Sequence, residues 1–290
     1  MPNRSRPNHP LPTRRVAILA FPGVHLLDVA GPLEVFAAAS LYAARADRRA
    51  PPSYGVSVLS AGGGPVRCSS GLEVGSDPLA KIRPGEFDTV LAAGGPEAEG
   101  ASRDGHLLAW LREAAALGGA RRIGSVCTGA FLLAAAGLLD GRRATTHWAY
   151  AARLAAAHPA VRVEADPIFV RDSGVWTSAG VTTGMDLALA MVEEDHGRAL
   201  ALDVARGLVM FLKRAGGQAQ FSAPLAAQET QATAAARFSR EFAASDINKD
   251  GVLTKDEVEA IRRRSNAANT GPWVSDWGEM SKKTVLRSVS

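Results

Sequence analysis

Up to Ser222 the chain alternates short β-branched apolar runs with longer runs rich in Ala and Leu, and this alternation restricts its fold more than any other feature. Apolar runs without polar interruption suit strands buried on both faces, and parallel strands of that kind need helical crossovers. The pattern predicts strands over residues 16–21, 54–61, 88–93, 122–126, 144–147 and 175–178. It predicts helices over 32–44, 105–117, 128–136, 148–157, 183–194 and 199–214. Gly and Pro fall at the joins, as in Pro22-Gly23 and Gly94-Gly95-Pro96, where turns require them. An α/β fold with a parallel sheet between helical layers follows. Hydrophobic residues at 47% and charged residues at 21% supply enough core for it and exclude a disordered chain.

The alternation stops near residue 222, and the use of basic residues changes at the same point. Residues 1–222 contain 21 Arg and 2 Lys, whereas residues 223–290 contain 6 Arg and 4 Lys. The chain therefore reads as a disordered arm over 1–13, a large domain over 14–222 and a linker over 223–236, followed by a tail. A net charge of +4 gives no argument for nucleic acid. No apolar run reaches the roughly 20 residues of a bilayer span, and the first residues lack the apolar stretch of a secretory signal. No membrane partner and a cytoplasmic location are expected. Two cysteines, Cys68 and Cys127, do not make a disulfide framework.

Cys127 lies in RRIGSVCTGAFLLAAAGLL, just after an apolar strand and just before a helix that opens on Thr128 and Gly129. A sharp strand-to-helix turn lifts such a side chain above the sheet, and a helix N-terminus favours the thiolate. An exposed sulfur of lowered pKa is the expectation. A lone cysteine also serves as a buried apolar side chain, which is the reading for Cys68 in GPVRCSSGLEV.

The motifs LLDVAGPLEVF, AAGGP, SVCTGAF, RRATTHWAY and TSAGVTTGMDLAL, in this order, resemble the DJ/PfpI superfamily. Within it the chain is similar to the sensor domains of AraC-type (GlxA-like) transcription regulators and to isonitrile hydratases. The resemblance covers about residues 14–222 and implies a flavodoxin-like three-layer sandwich of the class I glutamine amidotransferase kind. It implies Cys127 as nucleophile, Asp28 as the acidic residue facing it, and Thr128 as the threonine of the hydratases. The N–H groups of Thr128 and Gly95 would be oxyanion donors, and His147 is a candidate base. Thr128 stands where peptidases of the superfamily have histidine, so peptidase activity is not expected. A carboxylate repels a neighbouring thiolate, so Asp28 is expected to be protonated or to share a proton with Cys127. A regulator would bind a small nitrogenous metabolite here. A hydratase would add water to an isonitrile and release an N-substituted formamide, and a related cysteine-dependent amidase is the other enzyme reading. The superfamily also implies a homodimer.

The segment ALDVARGLVMFLKRAGGQAQFS is similar to the join between sensor and DNA-binding domain in AraC-type proteins, yet the residues after it do not resemble the paired helix-turn-helix module. DNA binding is therefore doubtful. The tail contains DINKDGVLTKDE, which resembles an EF-hand loop. Asp246, Asn248, Asp250, Val252, Thr254 and Glu257 would supply the oxygens and Gly251 the turn, so Ca²⁺ is the expected metal ion. The apolar pairs Phe238/Phe242 and Val258/Ile261 suit flanking helices, giving a small α-helical tail over 237–265. The last residues, GPWVSDWGEMSKKTVLRSVS, resemble a short stretch of RecT-type single-strand annealing recombinases over 266–290. Three resemblances of different origin suggest a composite chain. A Ca²⁺-responsive interaction protein is a further alternative.

Overall fold

Four successive residues of β1 (Arg14–Leu19), Val16 to Leu19, are buried, as a strand covered on both faces requires. In this computed structural model, which describes residues 13–46, 51–116, 118–214 and 216–218, β1 sits near the middle of the sheet. It pairs in parallel with β2 (Tyr54–Ser60) on one side and β5 (Thr89–Ala92) on the other. Beyond β5 lie β6 (Arg122–Val126) and β10 (Val175–Ser178), both parallel. β5, β6 and β10 are buried at every position. The sheet ends antiparallel on each side: β4 (Glu73–Pro78) with β3 (Gly64–Arg67), and β10 with β9 (Phe169–Asp172). The order is β3-β4-β2-β1-β5-β6-β10-β9.

Helices cover both faces. One layer contains α1 (Leu26–Ala46), α6 (Thr183–His196) and α7 (Arg198–Gly207), which pack on one another. The other contains α2 (Ala98–Ala101), α3 (Gly105–Ala115) and α4 (Ala130–Ala135). A further helix, α5 (Ala151–Ala157), packs by a two-stranded sheet of β7 (Arg143–Ala144) and β8 (Arg162–Val163). Residues 26–45 of α1 are long and apolar enough to cross a membrane, with a mean hydropathy of 1.4. Part of that apolarity serves the core, because Val35 and Phe36 are fully buried and the helix packs on β2, α6 and α7, with 39% of the stretch buried.

Several expected elements move. The first helix begins at Leu26 with Pro32 inside it, because Leu26 and Val29 already pack inward. The 144–147 strand leaves the main sheet as β7. The helix expected over 199–214 stops at Gly207. The one expected over 128–136 opens as a 3-10 turn at Cys127–Gly129, and α4 is buried at residues 130–134 rather than two-faced. β3, β4 and β9 have partly exposed residues and no long apolar run, so their pairing partners alone define them. The chain divides into the units Met1–Gln220 and Phe221–Ser290. The arm over residues 1–12, the linker, the EF-hand-like loop and the terminal segment lie outside the described residues.

Candidate functional site

At the carboxyl end of β6 the backbone turns so sharply that Cys127 takes φ +57°, a left-handed conformation that a non-glycine residue adopts only under constraint. Neighbouring loops supply the constraint. Gly180, with φ +89°, follows β10, and a Cβ there would collide with Cys127. Gly94 follows β5, and a Cβ there would lie 2.7 Å from Cys127 Cβ. Thr146 Oγ1 donates to the Cys127 carbonyl at 2.9 Å. The sulfur thus lies where three parallel strands end, the usual crevice of a sheet of this kind.

Asp28, in the first turn of α1, is the acidic partner. Its Oδ1 accepts the Val181 N–H at 2.7 Å, and Val181 itself has φ +54°, strained for a β-branched residue. Oδ2 is buried without an ordinary hydrogen-bond partner. Burial pushes the Asp28 carboxyl up, against the Val181 N–H, the His25 charge, the Gly94 N–H and the Cys127 thiol. Burial, followed by the Asp28 charge, pushes the Cys127 thiol up to about 12.

This corrects the expected exposed, activated thiolate. Cys127 is 4% exposed, and at neutral pH its sulfur keeps its proton. The favourable field expected at the helix start is weak because the chain enters a 3-10 turn and then a helix of six residues. A buried thiol next to a carboxyl loses more solvation than that field returns.

The expected oxyanion donors also change. The Gly95 N–H donates to Thr128 Oγ1 at 2.8 Å, and the Thr128 hydroxyl donates back to the Gly95 carbonyl at 2.8 Å. The Gly95 donor is therefore occupied, while the Thr128 N–H points at the Cys127 sulfur and favours its thiolate. His147 is half-buried, and burial followed by the nearby His25 charge lowers its pKa. Its Nδ1 accepts the Ala149 N–H at 3.3 Å. A neutral imidazole has one acceptor nitrogen, so Nε2 carries the proton and His147 faces its surroundings as a donor. Cys68 is buried in the core cluster.

A cleft of about 740 Å³ is lined among others by Phe21, Ser60, Arg67, Glu97 and Asp104, and neither Cys127 nor Asp28 lines it. Among the described residues no cluster of His, Cys, Asp or Glu has the arrangement of a metal site.

The DJ-1/PfpI family model matches residues 14–194, more than half of the chain. The chain belongs to the DJ-1/PfpI family. Isonitrile hydratase from Pseudomonas putida is 35% identical to it over 183 residues, which cover 62% of this chain and 71% of the hydratase. The HTH-type transcriptional regulator GlxA from Rhizobium meliloti is 35% identical over 192 residues, 66% of this chain and 56% of the regulator. The chain thus spans little more than half of that regulator's length. A solved structure of an AraC family transcriptional regulator from Pseudomonas putida superposes with a TM-score of 0.57 at 26% identity, covering 67% of this chain and 99% of that one.

A second family model, RecT, matches residues 209–290. The RecT-like stretch is thus longer than the 266–290 expected, and it takes in the linker and the EF-hand-like loop.

The DJ-1/PfpI site also contains residues that no sequence reasoning singled out. His25 faces Asp28 and His147, and its own N–H donates to the Gly94 carbonyl at 2.8 Å. It lies three residues before Asp28, in the same run as LLDVAGP, so proximity was the one available signal. Val181 and Thr146 act through backbone and hydroxyl contacts that only the folded chain creates.

Proposed function

We propose that the DJ-1/PfpI domain senses a small nitrogenous metabolite in the manner of AraC-type regulators, with Cys127 and Asp28 as its contacts. The observation that carries this reading is the buried pair itself. The thiol holds its proton, Asp28 Oδ2 has no ordinary partner, and the Gly95 N–H is occupied. Such a pair would offer a polar ligand an acceptor and a thiol, with no nucleophile ready to react. Several HTH-type regulators among the relatives support the same direction. The reading extends to a homodimer, which light scattering on the full chain tests.

Relatedness to isonitrile hydratase favours a second reading. Asp28, as carboxylate, would take the thiol proton while Cys127 Sγ forms a bond to the terminal carbon of the isonitrile. The proton passes to that carbon and gives a thioimidate. Water then adds, the C–S bond breaks, and an N-substituted formamide leaves as the thiol regains its proton.

Incubation with cyclohexyl isocyanide separates the two. The sensing reading expects no more formamide from the wild type than from Cys127→Ala, together with thermal stabilisation by a metabolite that Asp28→Asn abolishes. Formamide formed by the wild type alone overturns it in favour of the hydratase.

Asp246, Asn248, Asp250, Val252, Thr254 and Glu257 carry a separate proposal, a Ca²⁺ loop. The RecT match runs through the same residues. Calorimetry with Ca²⁺ decides, since absence of heat removes the loop from the reading.

A further inference from the structure

After α7 ends at Gly207 the described residues 208–214 and 216–218 have no helix or strand, and two side chains fasten them to the domain. Arg214 grips the start of α6: Nε and Nη2 donate to the two Asp186 carboxylate oxygens at 3.3 and 2.5 Å, and Nη1 donates to Thr182 Oγ1 at 3.2 Å. Gln218 is 3% exposed and fully engaged. Its Oε1 accepts the Trp148 N–H at 2.7 Å. Its Nε2 donates to Thr145 Oγ1 and to the carbonyls of Thr146 and Pro167 at 3.0–3.2 Å. The Gln218 N–H adds a bond to the Asp166 carbonyl at 2.6 Å.

Each clamp lands beside one member of the buried pair. Gln218 holds the carbonyl of Thr146, whose hydroxyl holds the Cys127 carbonyl at 2.9 Å. Arg214 holds Thr182, and the residue before it, Val181, donates its N–H to Asp28. The start of the strap is strained as well: Val209 has φ +55° and is 93% exposed. The strain at Val181 persists under its hydrogen bond to Asp28, whereas exposed Val209 is held through its backbone N–H to the Arg206 carbonyl.

We propose that residues 208–218 form a strap that positions Cys127 and Asp28, so that anything attached to or seated on the pair loosens the strap and signals to the chain beyond Gln218. The signalling clause rests on the sensing reading; the positioning clause does not. Arg214 and Gln218 are positioning residues, since neither touches the sulfur. Linkage makes the effect reciprocal for ionisation: if loosening the strap favours the thiolate, ionising the thiol favours the loosened strap, and the proposal extends this to an adduct on the sulfur.

The test uses the full chain and iodoacetamide, with Cys127 alkylation followed by peptide mass across a pH series. Arg214→Ala and Gln218→Ala are expected to lower the alkylation midpoint by about one pH unit, which raises the rate below it about tenfold. Arg214→Lys keeps the charge against Asp186 and restores much of the wild-type profile. Gln218→Glu keeps the shape but sets an acceptor against the Thr146 and Pro167 carbonyls, and it gives the same shift as Gln218→Ala should the latter fail to fold. In the converse arm, alkylated wild type exchanges amide hydrogens faster at 208–218 than untreated protein does, whereas Cys127→Ser treated alike shows no change. Variants that lower the urea midpoint yet keep the wild-type alkylation profile reduce the strap to a structural tie and overturn the proposal. Unchanged exchange after alkylation removes the signalling clause. Neither arm uses a metabolite, so a failed search for one weakens the sensing reading and leaves the strap as tested.

Discussion

At the amino end of β6, Arg122 is 3% exposed and its Nη2 meets Asp195 Oδ2 at 2.5 Å. Arg121 and Arg14 also pair with Asp195, Tyr54 donates to it at 2.7 Å, and Asp88 answers the same three arginines. At the carboxyl end of the strand, Cys127 and Asp28 are buried to the same degree without a counter-ion in contact, on backbone that is strained at Cys127 and Val181. Burial raises a carboxyl's pKa at both ends. At Asp195 the bonds from Arg122, Tyr54 and Arg121 more than reverse it, whereas at Asp28 burial prevails. A carboxyl buried among arginines supports the fold, whereas the perturbed Asp28–Cys127 pair marks a candidate functional site.

The largest effect that would break this contrast belongs to the amino end. Arg122→Ala leaves Asp195 buried with weaker partners and should cost about 3–5 kcal/mol in urea unfolding, the range for half of a buried ion pair. A loss below about 1 kcal/mol would mean that Arg121 and Arg14 suffice, in line with exposed pairs.

Gly180→Ala should cost about 1–3 kcal/mol, the scale of a residue forced into a strained conformation, and should displace Cys127 as well. Unchanged stability by urea unfolding together with an unchanged alkylation rate would show that the crevice is looser than its glycines imply.

The pH dependences of the two ends have opposite signs. Asp195 is held below its ordinary value of 3.8, so its contribution is present at neutral pH and is lost as the pH falls from about 4 through the lowered value. Cys127 is raised from 9.0 to about 12, so the unfolded chain ionises first and stability falls as the pH rises across that window. The slope is about 1.4 kcal/mol per pH unit for one proton. Subtracting the Cys127→Ala unfolding curve from the wild-type curve isolates this term, and parallel curves above pH 9 would refute it.

The smallest effect concerns Thr128. Thr128→Val should cost about 1 kcal/mol for its hydrogen bonds with Gly95 and should free the Gly95 N–H. If formamide production from an isonitrile then rises, Thr128 was blocking an oxyanion donor, and the site is closer to an enzyme than its wild-type geometry suggests.

Much of this was legible in the chain itself. The apolar run of β1 and the short β-branched stretches at β6 and β10 specified buried parallel strands, and the strand–Cys–Thr–Gly pattern located the turn at Cys127. Asp28 was reachable by its motif. The edge strands were not legible, because partly exposed residues such as those of β4 carry no pattern until a neighbouring strand pairs with them. The end of α7 at Gly207 was hidden too, since LVMFLKR continues a helical composition while Arg214 and Gln218 find stronger partners off the helix axis.

Local pattern therefore determined which segments are strands and helices and which residue sits at the tightest turn, because periodicity and steric freedom act within a few residues. The state of that residue was decided by tertiary structure. Whether the thiol is ionised, whether the Gly95 N–H is free and which nitrogen of His147 bears the proton depend on burial and on partners distant in sequence, such as Asp28 with Val181 and Thr146 with Gln218. Desolvation and hydrogen-bond occupancy arise only when those segments meet.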